Sequence, residues 1–329
     1  MPSLIRVGIA GTGSYVPDKV VTNQWFETFL DTSDEWIVQR SGIRERRFAA
    51  PDQATSDLCI NAARPALEAA GIGPEDLDLI IVGTLTPDFP LPATAVLVQD
   101  RLGAKRAAAF DVAAACTGFM TALHVGEAFI ATGRARYVLA IGAEVLSRFL
   151  DLKDRGSCIL FGDAAGAVVL GRWDDCRRGE LLRGSLGADG SGYELIHIRG
   201  NGSRFPTTAE TFEEGDQYIR LRGREIFKFA VARMGELIEQ MLEGYAPDEL
   251  GLIVPHQVNR RIIDAALDRI GMTDEKVIVN IQHYGNTSAA TVPLALDEAV
   301  RQGRMVDGKL VVLVAFGAGM TWGASLLRW

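Results

Sequence analysis

An internal duplication is the feature that most constrains how this chain can fold. The segment from Val277 to Gly319 repeats the order of strand, small-residue turn, helix and apolar strand found between Ala109 and Val145. A second matching pair, PEDLDLIIVGT from Pro74 and PDELGLIVPHQ from Pro247, precedes the first at nearly the same separation. Self-similarity within one sequence indicates repeated structural units. The sequence therefore predicts two related halves that pack about an approximate twofold axis.

Three polar residues follow predicted strands in these repeats. Cys116 lies at a strand-to-helix junction in FDVAAACTGFMTAL, His256 comes just beyond a strand, and Asn286 aligns in the second half with Cys116 in the first. We expect the strand ends to converge near the joint between the halves. Exposed N–H groups and the positive end of the helix dipole stabilise a thiolate at such a junction. Cys116 is interpreted as a nucleophile or, alternatively, as a buried small hydrophobe.

Apolar runs of strand length alternate with helical patterns along the chain. The predicted strands cover 6–10, 79–82, 108–112, 137–141, 167–170, 252–254, 277–279 and 310–315. The predicted helices cover 56–70, 119–131, 224–243, 259–270 and 291–301. This alternation predicts an α/β sandwich in which helices cover mostly parallel sheets. We expect an N-terminal half over 1–175, a C-terminal half over 176–329, and an irregular excursion between them at about 184–216.

Composition and charge exclude several classes of protein. The chain has 329 residues, of which 48% are hydrophobic and 23% are charged, so it can bury the cores of two domains. No apolar run approaches the roughly 20 residues that span a bilayer, and no signal peptide is evident, so we expect a cytoplasmic protein. The net charge of -8 disfavours binding to nucleic acid or to membranes. Four scattered cysteines lack zinc-site spacing, so we expect free thiols and no metal.

Seven separated motifs carry a resemblance that covers essentially the whole chain. In chain order they are GTGSYVP, DTSDEWIVQRSGIRER, AFDVAAACTGF, DRGSCILFGDAAGAVVL, VPHQVNRRI, YGNTSAAT and AFGAGMTWGASLLRW. With these motifs the chain resembles the beta-ketoacyl-acyl-carrier-protein (ACP) synthase III family of thiolase-like condensing enzymes. The resemblance implies a thiolase-like α/β fold of two pseudo-symmetric halves with layered α-β-α-β-α architecture, and a homodimer.

The resemblance also implies a reaction and its catalytic residues. In this family a cysteine takes an acyl group from acyl-CoA, and the acyl-enzyme condenses with malonyl-ACP as malonate loses carbon dioxide. The product is 3-oxoacyl-ACP, and the step initiates type II fatty acid synthesis without a cofactor. Cys116 matches the nucleophile, and His256 with Asn286 matches the decarboxylation pair, whose neutral donors would stabilise the enolate oxygen. The backbone amides of Cys116 and Ala318 match the oxyanion hole, although glycine is more familiar at position 318.

Further positions match the binding residues of the family. The matching coenzyme A contacts are Thr32, Trp36, Arg40, Arg155, Arg224 and Asn259. Arg224 stands where relatives often have asparagine. The basic positions that match contacts with the acidic carrier protein are Lys228, Arg261 and Arg269, which act through the local field rather than through net charge. Leu91 matches a residue that lines the acyl pocket of the partner subunit. Because some acetyl-specific relatives have phenylalanine there, we expect longer or branched primers.

Other activities remain open on the sequence. A specialised condensing enzyme of a polyketide or quinolone pathway would share the same cysteine, histidine and asparagine. A non-catalytic paralogue that binds the carrier protein is a second alternative, against which the retention of all three side chains argues. A degradative thiolase needs a second cysteine near the C-terminal glycine turn, and AFGAGM has none. A cysteine protease can use the same three residue types, but the duplicated halves disfavour it.

Overall fold

The structure is a computed structural model that describes residues 4–329. The strands are β1 (Val7–Tyr15), β2 (Lys19–Thr22), β3 (Glu45–Phe48), β4 (Leu79–Gly83), β5 (Ala108–Val112), β6 (Tyr137–Glu144), β7 (Ala164–Arg172), β8 (Glu180–Ala188), β9 (Ile196–Ile198), β10 (Ile219–Leu221), β11 (Leu250–Pro255), β12 (Leu310–Gly317) and β13 (Thr321–Arg328). The helices are α1 (Asn23–Glu27), α2 (Asp34–Ser41), α3 (Thr55–Ala70), α4 (Thr94–Leu102), α5 (Gly118–Ala131), α6 (Trp173–Cys176), α7 (Ala209–Glu213), α8 (Gly223–Leu242), α9 (Arg260–Arg269), α10 (Ile281–Tyr284) and α11 (Thr291–Arg301).

The two main sheets have matching strand order and direction. The first runs β5-β4-β6-β7-β1 and the second runs β11-β12-β13-β8. In the first, β4 pairs in parallel with β5 and β6, and β7 and β1 are added by antiparallel pairing. In the second, β11 and β12 are parallel, and β13 and β8 are added in the same antiparallel way. A parallel bridge between Ile253 and Val277 places the segment that begins at residue 277 beside β11. This segment corresponds to β5, which lies beside β4 in the first sheet.

Helices α5 and α11 fill the layer between the two sheets. Leu123 of α5 and Leu296 of α11 pack in one cluster with Val138 of the first sheet and Leu313 of the second. Fully burying each such side chain stabilises the fold by roughly 1.5–3 kcal/mol. Helix α3 covers the outer face of the first sheet, and α8 and α9 cover the outer face of the second. The five layers confirm the predicted α-β-α-β-α architecture.

Two glycines allow strand ends to touch the starts of the central helices. A Cβ atom on Gly142 of β6 would lie 2.1 Å from the carbonyl oxygen of Ala289, just before α11. A Cβ atom on Gly83 of β4 would lie 2.3 Å from the carbonyl carbon of Gly118, where α5 begins. Any larger residue at either position would push the helix away from the sheet. These contacts fix the turns in front of α5 and α11.

Some predictions are wrong. The two main sheets are mixed rather than mostly parallel, because β7, β1, β13 and β8 all join by antiparallel pairing. The sequence predicts that residues 184–188 begin the irregular excursion, but they form the end of β8. This strand lies at the edge of its sheet, and its glycines and exposed polar residues do not give the apolar pattern of a strand. Strand β13 has no counterpart among the predicted strands, and 277–279 contributes one bridge instead of a strand. The segment 189–222 holds α7 and the two-stranded ribbon of β9 and β10. Within residues 4–329, no helix combines the length and apolarity that crossing a membrane requires.

Candidate active site

Cys116 lies on a single 3₁₀ turn, Ala115–Thr117, between β5 and α5. Ala115 adopts the left-handed region with a φ of 46°, which turns the chain sharply before the helix. The end of β12 packs directly against this turn, because a Cβ atom on Gly317 would lie only 2.8 Å from the Cys116 nitrogen. Cys116 keeps part of its surface open to a cavity. The end of β12 therefore closes one side of the turn, and Cys116 is reached through the cavities that it lines.

The thiol of Cys116 keeps its proton in the resting structure. Burial raises the pKa of this thiol from 9.0 to about 11, although the hydroxyl of Ser288 and the backbone N–H of Ala318 act in the opposite direction. The thiolate expected from the position at the helix start is thus not the resting form, because desolvation of the charged sulfur is the larger effect. Attack on a thioester requires that the proton leave as the new bond forms.

His256 follows β11 and is completely buried. Its backbone N–H donates to the carbonyl oxygen of Val314 at 2.8 Å, and its imidazole Nδ1 lies 2.6 Å from the hydroxyl oxygen of Thr291. The ring of Phe316 meets the imidazole edge to face at 5.5 Å. Burial lowers the pKa of His256 from 6.5 to about 3, so the imidazole is neutral at physiological pH. Its Nε2 has no hydrogen-bond partner among the described residues, and the ring lines the cavity at Cys116.

Hydrogen bonds fix both the backbone and the side chain of Asn286. Its N–H donates to the carbonyl oxygen of Leu160 at 2.8 Å, and its carbonyl oxygen accepts from the N–H of Gly162 at 3.1 Å. Its side-chain Oδ1 accepts from the N–H of Ser288 at 2.8 Å. With Oδ1 engaged in this way, the Nδ2 amide is the group left to donate into the cavity that Asn286 lines.

The predicted alignment of Asn286 with Cys116 is wrong. Helix α5 begins two residues after Cys116, and α11 begins two residues after Ala289. Ala115 and Ser288, which precede those residues, share left-handed φ values of 46° and 50°. Ala289 is therefore the structural counterpart of Cys116. Small residues on both sides of the turn allow the two segments to be aligned in several registers, so the sequence alone does not determine the correct alignment. Asn286 reaches the cavity from the loop before the turn.

Two cavities meet at Cys116. The first has a volume of about 120 Å³, is lined by His256, Asn286 and Gly317, and extends to Asn259. The second has a volume of about 250 Å³. Its lining is mostly apolar and includes Leu85, Leu146, Phe161, Ile196, Ile198 and Ile219. The β9–β10 ribbon contributes side chains to both cavities, so the irregular segment covers the site. The sulfur lies between a passage toward α9 and an apolar pocket.

Ala318 follows β12 and starts the turn that closes over Cys116. Its N–H is close enough to the sulfur to lower the pKa of Cys116. The left-handed conformations in this turn belong to Gly319, with a φ of 73°, and Met320, with a φ of 47°. Position 318 does not need a left-handed φ. An alanine therefore fits where glycine is more familiar.

Four of the residues predicted to contact coenzyme A lie together near the outer end of the first cavity. The guanidinium groups of Arg155 and Arg40 lie 4.7 Å and 5.5 Å from the ring of Trp36 on α2. The amide Nδ2 of Asn259 donates to the carbonyl oxygen of Arg40 at 3.0 Å, which connects α2 with the start of α9. An aromatic ring flanked by two cations provides a surface on which an electron-rich ring can stack.

The other predicted contact residues are more dispersed. The hydroxyl of Thr32, just before α2, is buried without a partner among the described residues. Arg224 and Lys228 are exposed on α8, and Arg261 and Arg269 are exposed on α9, which packs against α8. Arg224, Lys228 and Arg261 lie near the starts of α8 and α9, which line the first cavity, whereas Arg269 ends α9 and lies 4.0 Å from Glu236; we call these four cations the basic face of α8 and α9. Within residues 4–329, no group of three or more His, Cys, Asp or Glu could hold a metal ion.

A buried polar cluster that the sequence does not predict lies behind the cysteine. Glu144, the last residue of β6, accepts hydrogen bonds from the hydroxyls of Thr84, Thr86 and Ser288 and from the N–H of Leu85. Burial raises the pKa of Glu144 from 4.5 to about 7. The only signal in the sequence is a carboxylate at the end of the apolar run YVLAIGAE.

Comparisons with known proteins place this architecture in a family. Two family models match, 3-oxoacyl-[acyl-carrier-protein] synthase III over 110–190 and its C-terminal part over 241–329. A beta-ketoacyl-[acyl-carrier-protein] synthase III of Desulfitobacterium hafniense (strain DSM 10664 / DCB-2) is 51% identical, over 99% of this chain and 98% of that protein. The crystal structure of 3-oxoacyl-[acyl-carrier-protein] synthase III from Aquifex aeolicus VF5 is 46% identical, with a TM-score of 0.90, over 98% of this chain and 100% of that one.

A further solved structure comes from a specialised pathway. The priming beta-ketosynthase from the R1128 polyketide biosynthetic pathway is 35% identical, with a TM-score of 0.91, over 100% of this chain and 97% of that one.

The fold and the site together define a thiolase-fold condensing enzyme, which is a type of acyltransferase. The similarity to the synthase of Desulfitobacterium hafniense extends over nearly the full length of both chains, and about half of the aligned residues are identical. The chain belongs to the beta-ketoacyl-ACP synthase III family, which confirms the resemblance carried by its motifs.

Proposed function

We propose that this protein initiates type II fatty acid synthesis by condensing an acyl-CoA primer with malonyl-ACP to give 3-oxoacyl-ACP. The observation that carries the proposal is that Cys116, His256 and Asn286, which are far apart in the sequence, line one cavity. The names of the relatives that match over the whole chain support the same activity.

Acyl transfer begins at Cys116 in this proposal. Its sulfur attacks the thioester carbon of acyl-CoA, CoA leaves as a thiol, and the acyl chain enters the apolar cavity. The N–H groups of Cys116 and Ala318 hold the oxyanion, and the position of the Ala318 N–H near the sulfur supports that role. Removing one such donor typically costs about 3 kcal/mol of transition-state stabilisation.

His256 and Asn286 promote the loss of carbon dioxide from malonyl-ACP. Decarboxylation places negative charge on the thioester oxygen as an enolate forms, and a neutral imidazole N–H and an amide N–H stabilise that charge. The enolate carbon then attacks the acyl group on Cys116, which releases 3-oxoacyl-ACP and returns the cysteine after protonation. The low pKa of His256 supports this assignment because it keeps the imidazole neutral.

Substrate binding is assigned by similarity and by placement. Trp36, Arg40 and Arg155 hold the adenine of coenzyme A, Thr32, Arg224 and Asn259 contact the rest of the molecule, and the pantetheine occupies the first cavity. Lys228, Arg261 and Arg269 attract the acidic carrier protein to the basic face of α8 and α9. A local cluster of cations steers an anionic partner even when the net charge of the chain is negative.

The proposal also includes a homodimer in the cytoplasm, whose subunits divide into halves near residue 175. The open edge of β5, which within residues 4–329 pairs only with β4, and the exposed side chains of Phe89 and Leu91 support a subunit interface there. Leu91 is 86% exposed and lines neither cavity at Cys116 of its own subunit, so it is free to close the apolar pocket of the partner. Light scattering of the purified protein tests the dimer.

Intact-mass spectrometry tests the reaction in two steps. The protein is exposed to acetyl-, isobutyryl- and octanoyl-CoA, and malonyl-ACP is then added. We expect an acyl adduct and then 3-oxoacyl-ACP, with loading by the longer or branched primers because position 91 is leucine. Cys116→Ser should abolish loading, whereas His256→Ala and Asn286→Ala should load and fail to decarboxylate. An acylated Cys116→Ser protein, or full condensation by Asn286→Ala, would contradict the assignment.

A second candidate function is the priming step of a specialised pathway. The similarity to a priming beta-ketosynthase of polyketide biosynthesis favours it as the alternative. Strong preference for a carrier protein other than that of fatty acid synthesis would support the specialised role. A folded protein that binds the carrier protein but never turns over malonyl-ACP would instead be a non-catalytic paralogue.

A further inference from the structure

A chain of buried polar groups connects Cys116 with a carboxyl group that the proposed mechanism does not use. Cys116 and Ser288 line the same apolar cavity, and the hydroxyl of Ser288 lowers the pKa of the Cys116 thiol. The same hydroxyl lies 3.0 Å from Oε1 of Glu144. The Ser288 hydroxyl therefore donates to the carboxyl group, and Ser288 lines the cavity at which the thiol lies.

The surroundings of Glu144 hold its carboxyl group in a fixed orientation. Oε2 accepts from the hydroxyl of Thr86 at 2.8 Å, from the N–H of Leu85 at 3.1 Å and from the hydroxyl of Thr84 at 3.2 Å. These partners are neutral, and they leave Oε1 directed at Ser288. The titratable groups that sense the charge of Glu144 are Cys116 and the buried Cys59 of α3.

We propose that Ser288 and Glu144 form a proton relay for Cys116, in which Glu144 is a positioning residue that acts through Ser288 and does not contact the substrate. The inference rests on the proposed function, because it assumes that Cys116 attacks an acyl-CoA.

The relay conserves protons in each acyl transfer. As the bond between Cys116 Sγ and the acyl carbon forms, the thiol proton moves to Ser288 Oγ, and the hydroxyl proton of Ser288 moves to Glu144 Oε1. As the bond between that carbon and the CoA sulfur breaks, the reverse transfer through Ser288 delivers one proton to the leaving thiolate. Cys116 ends acylated, CoA leaves as a thiol, and Ser288 and Glu144 return to their starting states.

The chemistry of the site favours the carboxyl group over the imidazole as the proton acceptor. Burial raises the pKa of Glu144 to about 7, and a general base is most effective when its pKa lies near the working pH. His256 has a pKa of about 3, so it is a much weaker base. Its Nδ1 is also engaged by Thr291.

Single-turnover acylation of the full-length protein, followed by intact mass across the neutral pH range, tests the relay. The probe is the acyl-CoA that loads the wild-type protein fastest. We expect the wild-type rate to rise with pH through an inflection near 7 as Glu144 ionises. Glu144→Gln and Ser288→Ala should each lower the rate about 100-fold and remove the inflection, because both interrupt proton transfer.

A matched control separates the relay from the general effect of altering a buried carboxylate. Asp297 is buried on α11 and accepts from the hydroxyls of Thr12 and Ser14. Asp297→Asn should keep the wild-type rate and pH profile. If Glu144→Gln does not fold, Ser288→Ala decides the test, because its hydroxyl is the required link.

The outcomes distinguish the relay from the proposed function. A wild-type protein that no acyl-CoA acylates would overturn the proposed function itself. A wild-type protein that loads, with variants that keep its rate, would overturn the relay alone. Slower variants that retain the inflection would also overturn it, because Glu144 would then act only on structure.

Discussion

The imidazole of His256 and the hydroxyl of Thr291 are 2.6 Å apart, and that hydroxyl also lies 2.9 Å from the carbonyl oxygen of Ser288. A threonine hydroxyl has one proton to donate. When that proton is donated to Ser288, the hydroxyl oxygen accepts from the Nδ1–H of His256; when it is donated to Nδ1 instead, the imidazole proton resides on Nε2, which then faces the cavity as a donor. Thr291 therefore controls which nitrogen can stabilise an enolate.

Replacing Thr291 by valine should impair decarboxylation selectively. Without the hydroxyl, no side chain can donate to Nδ1 when malonyl-ACP binds, so the tautomer with a proton on Nε2, which the proposal requires, loses its stabilisation. We expect malonyl-ACP decarboxylation to slow by up to about 100-fold, the typical effect of losing one transition-state donor. Loading of Cys116 should not change. Mass spectrometry of the two half-reactions measures both rates.

Thr287→Val is the matched control for that experiment. The hydroxyl of Thr287 is buried and has no hydrogen-bond partner among the described residues, so the same substitution removes no hydrogen bond. Decarboxylation should stay at the wild-type rate. An equal loss of both half-reactions in Thr291→Val would show that the threonine supports the fold rather than the tautomer.

Replacing Gly142 by alanine should destabilise the protein and disturb the site. The added Cβ atom would lie 2.1 Å from the carbonyl oxygen of Ala289, so the turn before α11 must move. Overpacking of this kind costs about 1–3 kcal/mol. We expect the free energy of unfolding in urea to fall by that amount and both half-reactions to slow. Gly190→Ala, where nothing lies within 4 Å, should leave stability nearly unchanged. Wild-type stability in Gly142→Ala would contradict the packing.

The overall architecture follows from patterns that the sequence displays. Strands β4 and β5 are short apolar runs bounded by turn residues, and α11 has an apolar stripe at helical spacing. The duplication predicts that both halves share one arrangement. Strand β8 is not predictable in the same way, because it lies at a sheet edge and only its pairing with β13 defines it.

The site is predictable only as far as its residues carry recognisable motifs. Cys116 and His256 stand at the ends of predictable strands, and the sequence correctly indicates that such ends converge. The alignment of Asn286 fails because small residues leave the register of the turn undefined. The polar cluster around Glu144 cannot be predicted from the sequence, because Thr84 and Ser288, which contact it, come from two other parts of the chain.

Replacing Trp36 by alanine should weaken acyl-CoA binding. The guanidinium groups of Arg155 and Arg40 lie 4.7 Å and 5.5 Å from the ring centre, and loss of stacking with an adenine costs about 1–3 kcal/mol. We expect KM for acyl-CoA to rise about tenfold or more, with decarboxylation of malonyl-ACP unchanged. Trp173→Ala, which removes a ring stacked on Arg6 at 3.7 Å, should leave this KM at the wild-type value. Equal KM values in both variants would argue against the adenine site.

The stability of the protein should depend on pH through Glu144. Its pKa is raised from 4.5 to about 7 by burial, so the folded state prefers the neutral carboxyl group. The contribution of Glu144 to the free energy of unfolding is fully present below about pH 4.5 and is lost as the pH rises through about 7. The loss amounts to about 3 kcal/mol. The difference in unfolding free energy between wild type and Glu144→Gln should shift by that amount in favour of the variant. A difference that stays constant with pH would refute this.

The central layer of α5 and α11 has a consequence for biosynthesis. Val138 of the first sheet and Leu313 of the second belong to one core, which Leu296 of α11 helps to fill. A nascent chain that has emerged only as far as β7 therefore presents the apolar inner face of its sheet to water, because α11, which covers part of that face, has not yet been translated. We expect ribosome-bound intermediates of this length to recruit chaperones, and the enzyme to acquire its native fold only after release.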